Sequence, residues 1–242
     1  MAKLVQKSGY IKSGKASGYM RYIATREGVE KLAGNGSVTK GQRELIQKLL
    51  TDFPDAVELF EYEDYCKTPT LGTASAFITM ALDANLHEID SESGYMQYIA
   101  TRPRVQKHGS HGLFSSATAV DLASAMLELE AHEGNVWTII YSLRREDAAR
   151  LEYDNADAWR TLLMESTPTL AKSMKISLDN FHWYAAFHDE GHHPHIHMMV
   201  WSDNPKEGFL TKDGIAAMRS KLTNAIFRDE MQQIYERKDV AY

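Results

Sequence analysis

Cysteine is nearly missing from this sequence, since Cys66 is the only one among 242 residues. A disulfide framework is therefore excluded, and we expect the protein to work in a reducing cytoplasm. Long apolar runs are missing too: none approaches the roughly 18 residues of a membrane-spanning helix, which predicts no membrane insertion. The N-terminal stretch MAKLVQKSGY also lacks the apolar core of a secretory signal peptide.

Several common catalytic signatures are absent as well. The sequence contains no P-loop and no glycine-rich dinucleotide loop, which argues against a nucleotide-dependent enzyme. Cys66 lies in an acidic segment with no histidine nearby, which argues against a catalytic cysteine. The chemistry must therefore come from other residue types.

An overall excess of positive charge is missing, since the net charge is −6, and this argues against a sequence-blind nucleic-acid binder. The charge is uneven, however. Ten basic and three acidic residues up to Lys48 give this part a net charge of +7, and an acidic run follows between Asp52 and Asp64. Local charge steers a polyanion more than net charge does, so a DNA-facing N-terminal surface and two solvated helix faces of opposite sign both remain open.

Apolar periodicity and turn residues predict a chain of mixed strands and helices without a linker or low-complexity segment. Strands are predicted at 4–11, 136–143, 183–188 and 195–201. Helices are predicted at 17–32, 40–50, 54–65, 75–86, 120–130, from a cap at 154–155 through 163, from 167 to 174, and from 211 onward, with breaks at Pro54, Pro69 and Gly72.

One internal repeat stands out. SGYMRYIATR at 17–26 recurs as SGYMQYIATR at 93–102, with nine of ten positions identical. No second copy of the flanking segments appears, so the repeat is not a solenoid period. The first copy can continue as a helix, whereas Pro103 pushes the end of the second copy out of the helical region.

Histidine is concentrated in one place: five of the ten lie between His188 and His197. Residues two apart on a strand share a face, so His195 and His197 should point together. The turn at 189–194 folds the preceding strand back and brings His188 to the same spot. We predict a three-histidine metal site with open positions for water or substrate. A solvated polar patch with one core histidine is the alternative.

Other residues of the turn have different expected roles. Asp189 or Glu190 can accept the second ring N–H of a ligand histidine and fix its tautomer. His192 and His193 are easily solvated in the turn and are not predicted to be ligands. Three nitrogen ligands favour Mn²⁺, Co²⁺, Ni²⁺ or Zn²⁺ over Mg²⁺ in affinity, although cellular supply can make Mg²⁺ or Mn²⁺ the working ion.

The stretch HDEGHHPHIH resembles the His-hydrophobe-His motif of HUH endonucleases, in the form found in conjugative relaxases of the MobP/MobL type. His188, His195 and His197 match the family's three histidines, and Glu190 matches its acidic residue two positions after the first. YIATREGVEKL resembles the helix that carries the family's nucleophilic tyrosine. SLRREDAARL and YIATRPRV also resemble that group, so the likeness extends from Lys3 to about Tyr235.

This resemblance implies an α+β fold, the HUH endonuclease fold, in which helices surround a central antiparallel sheet. It implies one relaxase domain over 1–242 with a mainly helical insertion around 38–90. The implied reaction is attack by a tyrosine oxygen on a phosphodiester of single-stranded DNA at an origin of transfer. The implied products are a 5′-phosphotyrosyl link and a free 3′ hydroxyl, which are later rejoined. Relaxosome accessory and coupling proteins and a bacterial cytoplasm are the implied partners and location.

The repeat offers competing nucleophiles. Tyr22 follows the first strand, as the nucleophilic tyrosine of the family does, and we favour it over Tyr98 and Tyr19. Core packing through an amphipathic ring remains the alternative for each of them. Arg26 lies one helical turn beyond Tyr22 and can grip a phosphate. The remaining predicted DNA-binding residues are Lys12, Lys15 and Arg102.

Three other functions remain compatible with the residues. A metal-dependent phosphodiesterase that uses bound water would leave no covalent adduct on the protein. A non-catalytic DNA- or metal-binding module would tolerate loss of Tyr22 and Tyr98. A rolling-circle replication initiator or a transposase of the HUH class would make the same nick in a different target.

Overall fold

The structure is a computed structural model, and it describes most of the chain. The described residues are 3–10, 36–85, 96, 99–100, 105–106, 111–117, 120–130, 132, 134–189 and 191–228. The predicted helix at 17–32 lies outside them. No helix within these ranges is long and apolar enough to cross a membrane.

Five strands form one sheet in the order β1-β3-β5-β4-β2, and every neighbouring pair is antiparallel. The strands are β1 (Val5–Tyr10), β2 (Leu113–Phe114), β3 (Trp137–Ser142), β4 (Phe181–His188) and β5 (His195–Ser202). The four predicted strands are confirmed as β1, β3, β4 and β5. The two-residue strand β2 is too short to give a periodic signal.

Helices surround this sheet, which confirms the α+β class. The helices within the described ranges are α1 (Lys40–Asp52), α2 (Phe60–Lys67), α3 (Leu71–Ala84), α4 (Leu122–Glu130), α5 (Arg145–Arg150), α6 (Ala156–Ser173) and α7 (Lys212–Ile226). Short 3₁₀ helices occupy Pro54–Glu58 and Leu178–Asn180. Side-chain oxygens of Thr39, Thr70, Asn155 and Thr211 cap α1, α3, α6 and α7 by accepting backbone N–H bonds.

The two faces of the sheet carry different residues because side chains alternate along each strand. Even-numbered residues of β5, such as Ile196 and Met198, join the core that contains Trp159 of α6 and Leu222 of α7. Odd-numbered residues point to the opposite face, where Met199 packs in the cluster that contains Leu129 of α4. The histidines of β5 are odd-numbered and therefore belong to this second face.

Three helices between residues 40 and 84 pack on the edge of the sheet. Leu49 of α1, Phe60 of α2 and Phe77 of α3 are buried in one cluster with Val5 of β1. These helices lie within the range 38–90 predicted as an insertion. Their packing on Val5 brings α2 to the same face of the sheet as the histidines, because Val5 pairs with Ser142 and Ser142 pairs with His195.

The prediction of a single helix at 54–65 is wrong. Pro54–Glu58 forms a 3₁₀ helix, and α2 starts only after Leu59, whose φ of −68° and ψ of 143° are extended. Leu59 is buried in the cluster of the three helices, so tertiary packing fixes this bend. The predicted break at Gly72 is also wrong, because Gly72 lies inside α3 beyond its cap, Thr70.

The two helices predicted around Pro168 are one continuous helix, α6. An internal proline removes one backbone hydrogen bond and costs about 3 kcal/mol. Buried Leu163 and Leu170 on either side of Pro168 pack in the main core. Burial of two leucines offsets a cost of this size, since each contributes about 1.5–3 kcal/mol.

Replacing Gly214 with alanine is expected to lower the free energy of unfolding by about 1–3 kcal/mol. Gly214 lies in the first turn of α7, where an added Cβ would overlap the backbone carbonyl oxygen of Ser173 at the end of α6. A backbone atom cannot rotate away, so the two helices would have to separate. Urea unfolding measures the change.

The matched control is Gly41→Ala in the first turn of α1, where an added Cβ meets nothing within 4 Å. This control should raise the free energy of unfolding by up to about 1 kcal/mol, because alanine loses less conformational entropy in a helix. Stabilisation of the protein by Gly214→Ala would contradict the close approach of α6 and α7.

Candidate metal centre

Three histidine rings meet where β4 ends and β5 begins. His188 and His195 are directly opposite each other in the β4–β5 ladder, and His197 lies two residues further along the same face. Each is 0% exposed. The ring centroids are 4.6 Å apart for His188 and His197, 5.1 Å for His195 and His197, and 5.2 Å for His188 and His195. One nitrogen from each ring lies within 4.8 Å of the other two.

Backbone carbonyls define which nitrogen of two of these rings carries the proton. The Nε2 atom of His188 is 2.8 Å from the carbonyl oxygen of Ile99, and the Nδ1 atom of His195 is 3.0 Å from that of His193. A carbonyl oxygen can only accept, so both nitrogens must donate N–H. In the neutral rings this leaves lone pairs on Nδ1 of His188 and Nε2 of His195.

This donor set fits a divalent ion. Neutral imidazole nitrogens are common ligands of divalent transition metals, and the second ring nitrogen of a ligand histidine usually donates to a carbonyl or a carboxylate. Three protein ligands on one side leave coordination positions open for a substrate oxygen. The donors come from two inner strands of the sheet, so main-chain hydrogen bonds hold them in place.

His193 is not the easily solvated turn residue that its sequence position indicates. It is 5% exposed, its ring stacks on Phe60 of α2 at 5.3 Å, and its Nε2 atom lies 2.9 Å from Oδ2 of Asp64. Burial lowers the pKa of His193 below its ordinary value, although the Asp64 carboxylate opposes this shift. His192, in contrast, is exposed as expected.

Asp64 is shared between two basic groups. Its Oδ1 atom lies 3.2 Å from the guanidinium of Arg144, whose side chain also covers the ring of Phe60 at 4.8 Å. Burial raises the pKa of the Asp64 carboxyl, but the hydrogen bonds from His193 and Arg144 bring it below its ordinary value. Asp64 is therefore ionised at neutral pH and can accept from both partners.

Residues at the junction of β3 and α5 hold the turn that joins β4 to β5. The backbone N–H groups of Leu143 and Arg145 donate to the carbonyls of Pro194 and His192 at 3.2 and 2.9 Å. The Arg145 side chain donates to the Gly191 carbonyl at 3.1 Å and pairs with the Asp189 carboxylate at 2.6 Å. In the structure, the Asp189 carboxylate is therefore paired with the side chain of Arg145.

A buried lysine shares the face that carries the histidines. Lys7 of β1 pairs in register with Ile140 of β3, and Ile140 pairs with His197 of β5. Lys7 is 5% exposed, and its Nζ atom lies 3.5 Å from the carboxylate of Asp55 and 5.8 Å from the Phe53 ring centroid. The sequence predicted a strand here, but it gave no signal that its lysine would be buried.

Most of the other predicted site residues lie outside the described part of the chain. They are Tyr22, Tyr98, Tyr19, Glu190, Arg26, Lys12, Lys15 and Arg102. The second copy of the repeat contributes one contact to the site, because the backbone carbonyl oxygen of Ile99 accepts from Nε2 of His188. Ile99 and Ala100 are also buried against the face of the sheet that carries the histidines.

The fold and the site together define a class. A five-stranded antiparallel sheet with surrounding helices and three histidines on two adjacent inner strands is the arrangement of the HUH endonuclease fold. The family profile of the MobL relaxases matches residues 1–241, so the chain belongs to the MobL relaxases. This family assigns it to the DNA-nicking relaxases of conjugation and mobilisation. No curated protein and no solved structure matches the chain.

Proposed function

We propose that this relaxase is a metal-dependent tyrosine transesterase that nicks and rejoins one DNA strand at the origin of transfer of a plasmid or integrative element. The observation that carries the proposal is the convergence of three fully buried histidines at one end of the β4–β5 hairpin. Membership of the MobL relaxases supports DNA as the substrate. The catalytic assignments rest on the chemistry that such a reaction requires.

His188, His195 and His197 are the proposed ligands of a divalent ion, with Mn²⁺ or Mg²⁺ favoured and Zn²⁺, Co²⁺ or Ni²⁺ possible. A bound ion supplies positive charge that polarises the scissile phosphate and stabilises the charge that builds on its non-bridging oxygens. The three neutral rings leave that positive charge uncancelled, whereas carboxylate ligands would reduce it. The carbonyls of Ile99 and His193 keep two of the rings in the tautomers that ligation needs.

Tyr22 is the proposed nucleophile. Its phenol loses a proton, its oxygen attacks the phosphorus, and the bond from phosphorus to the 3′ oxygen breaks. The 3′ oxygen leaves and takes up a proton, so one phosphodiester replaces another and the bond energy is kept for rejoining. The phenol has an ordinary pKa of about 10, so a nearby cation or base must favour its ionised form near neutral pH.

The basic N-terminal region is the proposed DNA-facing side. Arg26, Lys12, Lys15 and Arg102 are the proposed phosphate contacts, and Arg26 lies four residues after the proposed nucleophile in the sequence. Phosphate contacts set the position of the strand but carry no sequence information. We therefore expect accessory proteins of the relaxosome and a coupling protein to take part in the choice and delivery of the transfer origin.

A hydrolase that uses bound water is the rival proposal, because a three-histidine site can also activate water. The two reactions differ in where the 5′ phosphate of the nick goes. In the transesterase it stays on a tyrosine, and in the hydrolase it is released with the DNA fragment.

Single-stranded DNA should be cut and relaxed duplex should not, because the nucleophile needs an exposed and unstacked phosphodiester. A random-sequence single-stranded pool and the same pool made double-stranded provide the comparison, with cleavage read on a denaturing gel. Binding should weaken steeply between low and moderate salt, as expected for a stretch with a net charge of +7 up to Lys48. Equal cleavage of both pools, or salt-independent binding, would contradict the proposed DNA site.

A further inference from the structure

A four-residue cluster joins α2 to the turn that carries the metal-site histidines. We define it as the Asp64 cluster: Phe60 and Asp64 of α2, Arg144 before α5, and His193 of the turn. The His193 ring stacks on the Phe60 ring, with 5.3 Å between centroids, and its Nε2 atom lies 2.9 Å from the Asp64 carboxylate. Arg144 pairs with the other carboxylate oxygen of Asp64, at 3.2 Å.

His193 is also the residue that orients His195. Its backbone carbonyl oxygen lies 3.0 Å from Nδ1 of His195 and so accepts that ring's N–H. The position of the carbonyl depends on the conformation of His193, and its buried ring fixes that conformation through Asp64 and Phe60. The chain of contacts therefore runs from the Asp64 carboxylate through His193 to the proposed ligand His195.

The other contacts of the turn do not substitute for the contacts that run from Asp64 through His193 to His195. Arg145 holds the turn at Asp189, Gly191 and the carbonyl of His192, which lie before His193. The Leu143 N–H reaches the carbonyl of Pro194, which lies after it. Among the described residues, Asp64 hydrogen-bonds the His193 side chain and Phe60 stacks on it, while the exposed His192 ring is a tilted neighbour at 6.4 Å.

We propose that Asp64 is a positioning residue of the metal site, acting through His193 to hold the His195 ring in its metal-binding orientation. The proposal rests on the proposed three-histidine metal site. It gives the helices between β1 and α4 a role in the reaction, because their α2 supplies both Asp64 and Phe60. Those helices would then help to orient a metal ligand, although they contribute no ligand themselves.

Asp64→Ala should weaken Co²⁺ binding by roughly tenfold, the lower end of the range for loss of an outer partner of a ligand histidine. Co²⁺ is a useful probe because its visible absorption spectrum reports ligand geometry, so the variant's spectrum should also change. Asp64→Asn should restore most of the affinity, since its amide oxygen can still accept from Nε2 of His193. Titration calorimetry and absorption of the full chain measure both quantities.

Asp203→Ala is the matched control. Asp203 accepts from Nε2 of His182 at 2.6 Å, so the control removes a second histidine–aspartate pair at the opposite end of β4. Its Co²⁺ affinity and spectrum should equal those of the wild type. Thermal unfolding of each variant separates loss of the fold from loss of orientation. If Asp64→Ala does not fold, Asp64→Leu carries the test, because leucine keeps the bulk of the side chain and removes both acceptor oxygens; its Co²⁺ affinity should fall like that expected for Asp64→Ala.

The outcomes are distinguishable. If Asp64→Ala binds Co²⁺ with unchanged affinity and spectrum while the wild type binds it, Asp64 is not a positioning residue although the metal site stands. An equal loss in Asp203→Ala would also overturn the proposal, because the effect would then be general destabilisation. Failure of the wild type to bind Co²⁺, Mn²⁺ or Zn²⁺ would overturn the metal site itself, and this inference with it.

Discussion

Replacing His195 with alanine is expected to abolish nicking, with a loss of at least about a hundredfold, and to weaken Mn²⁺ binding by a similar factor. The change removes one of three converging nitrogens from a site that is 0% exposed, where water cannot easily take its place. It also removes the ring that the carbonyl of His193 orients. Titration calorimetry with Mn²⁺ and a gel-based nicking assay measure the two effects.

His192→Ala is the control for this variant. His192 lies in the same turn but is exposed, so its loss should leave both Mn²⁺ affinity and nicking near the wild-type values. A thermal unfolding curve close to that of the wild type would show that His195→Ala still folds. Unchanged Mn²⁺ affinity in a variant with all three histidines replaced by alanine would rule out the proposed metal site.

Tyr22→Phe is expected to bind DNA and Mn²⁺ like the wild type but to form no covalent DNA adduct. Phenylalanine keeps the aromatic ring and removes only the attacking oxygen, so the protein should still fold. Loss of the nucleophile should reduce nicking below detection, because the three histidines cannot themselves form a phosphotyrosyl bond. Fluorescence anisotropy with a single-stranded oligonucleotide and denaturing gels of the protein measure binding and adduct.

The second copy of the repeat supplies the comparison. Tyr98→Phe should keep at least part of the activity, because a proline at position 103 disfavours helical geometry in the residue before it. The Ile99 carbonyl orients His188, which gives the second copy a structural role at the site whether or not its tyrosine reacts. An adduct on Tyr98 together with an active Tyr22→Phe variant would show that the second copy carries the nucleophile.

Regular spacing made the central part of the site predictable. Two-residue periodicity places His195 and His197 on one face, and a tight turn returns the chain past His188. Both inferences need only local geometry, and the structure brings the three rings together. The strands that carry them were predictable as well, because aromatic and β-branched residues such as Trp183, Ile196 and Val200 are frequent in them and they lie between clear turns.

Long-range contacts were not predictable. His193 is buried because Asp64 and Phe60, more than 120 residues earlier in the chain, pack against it, and no local pattern indicates this. The Ile99 carbonyl cannot be inferred from side-chain chemistry at all. The continuous helix through Pro168 was unpredictable for the same reason, since burial of the neighbouring residues outweighs the local preference for a break.

Transfer of a label from DNA to the protein tests the transesterase mechanism most directly. A random-sequence single-stranded pool labelled at its 3′ end is incubated with the wild type and Mn²⁺, and the protein is then denatured and digested. The proposed mechanism predicts a labelled peptide with the DNA joined to a tyrosine, and no such peptide with a chelator or with His195→Ala. Cleavage of the pool with all of the label in free DNA fragments would show that water is the nucleophile and would contradict it.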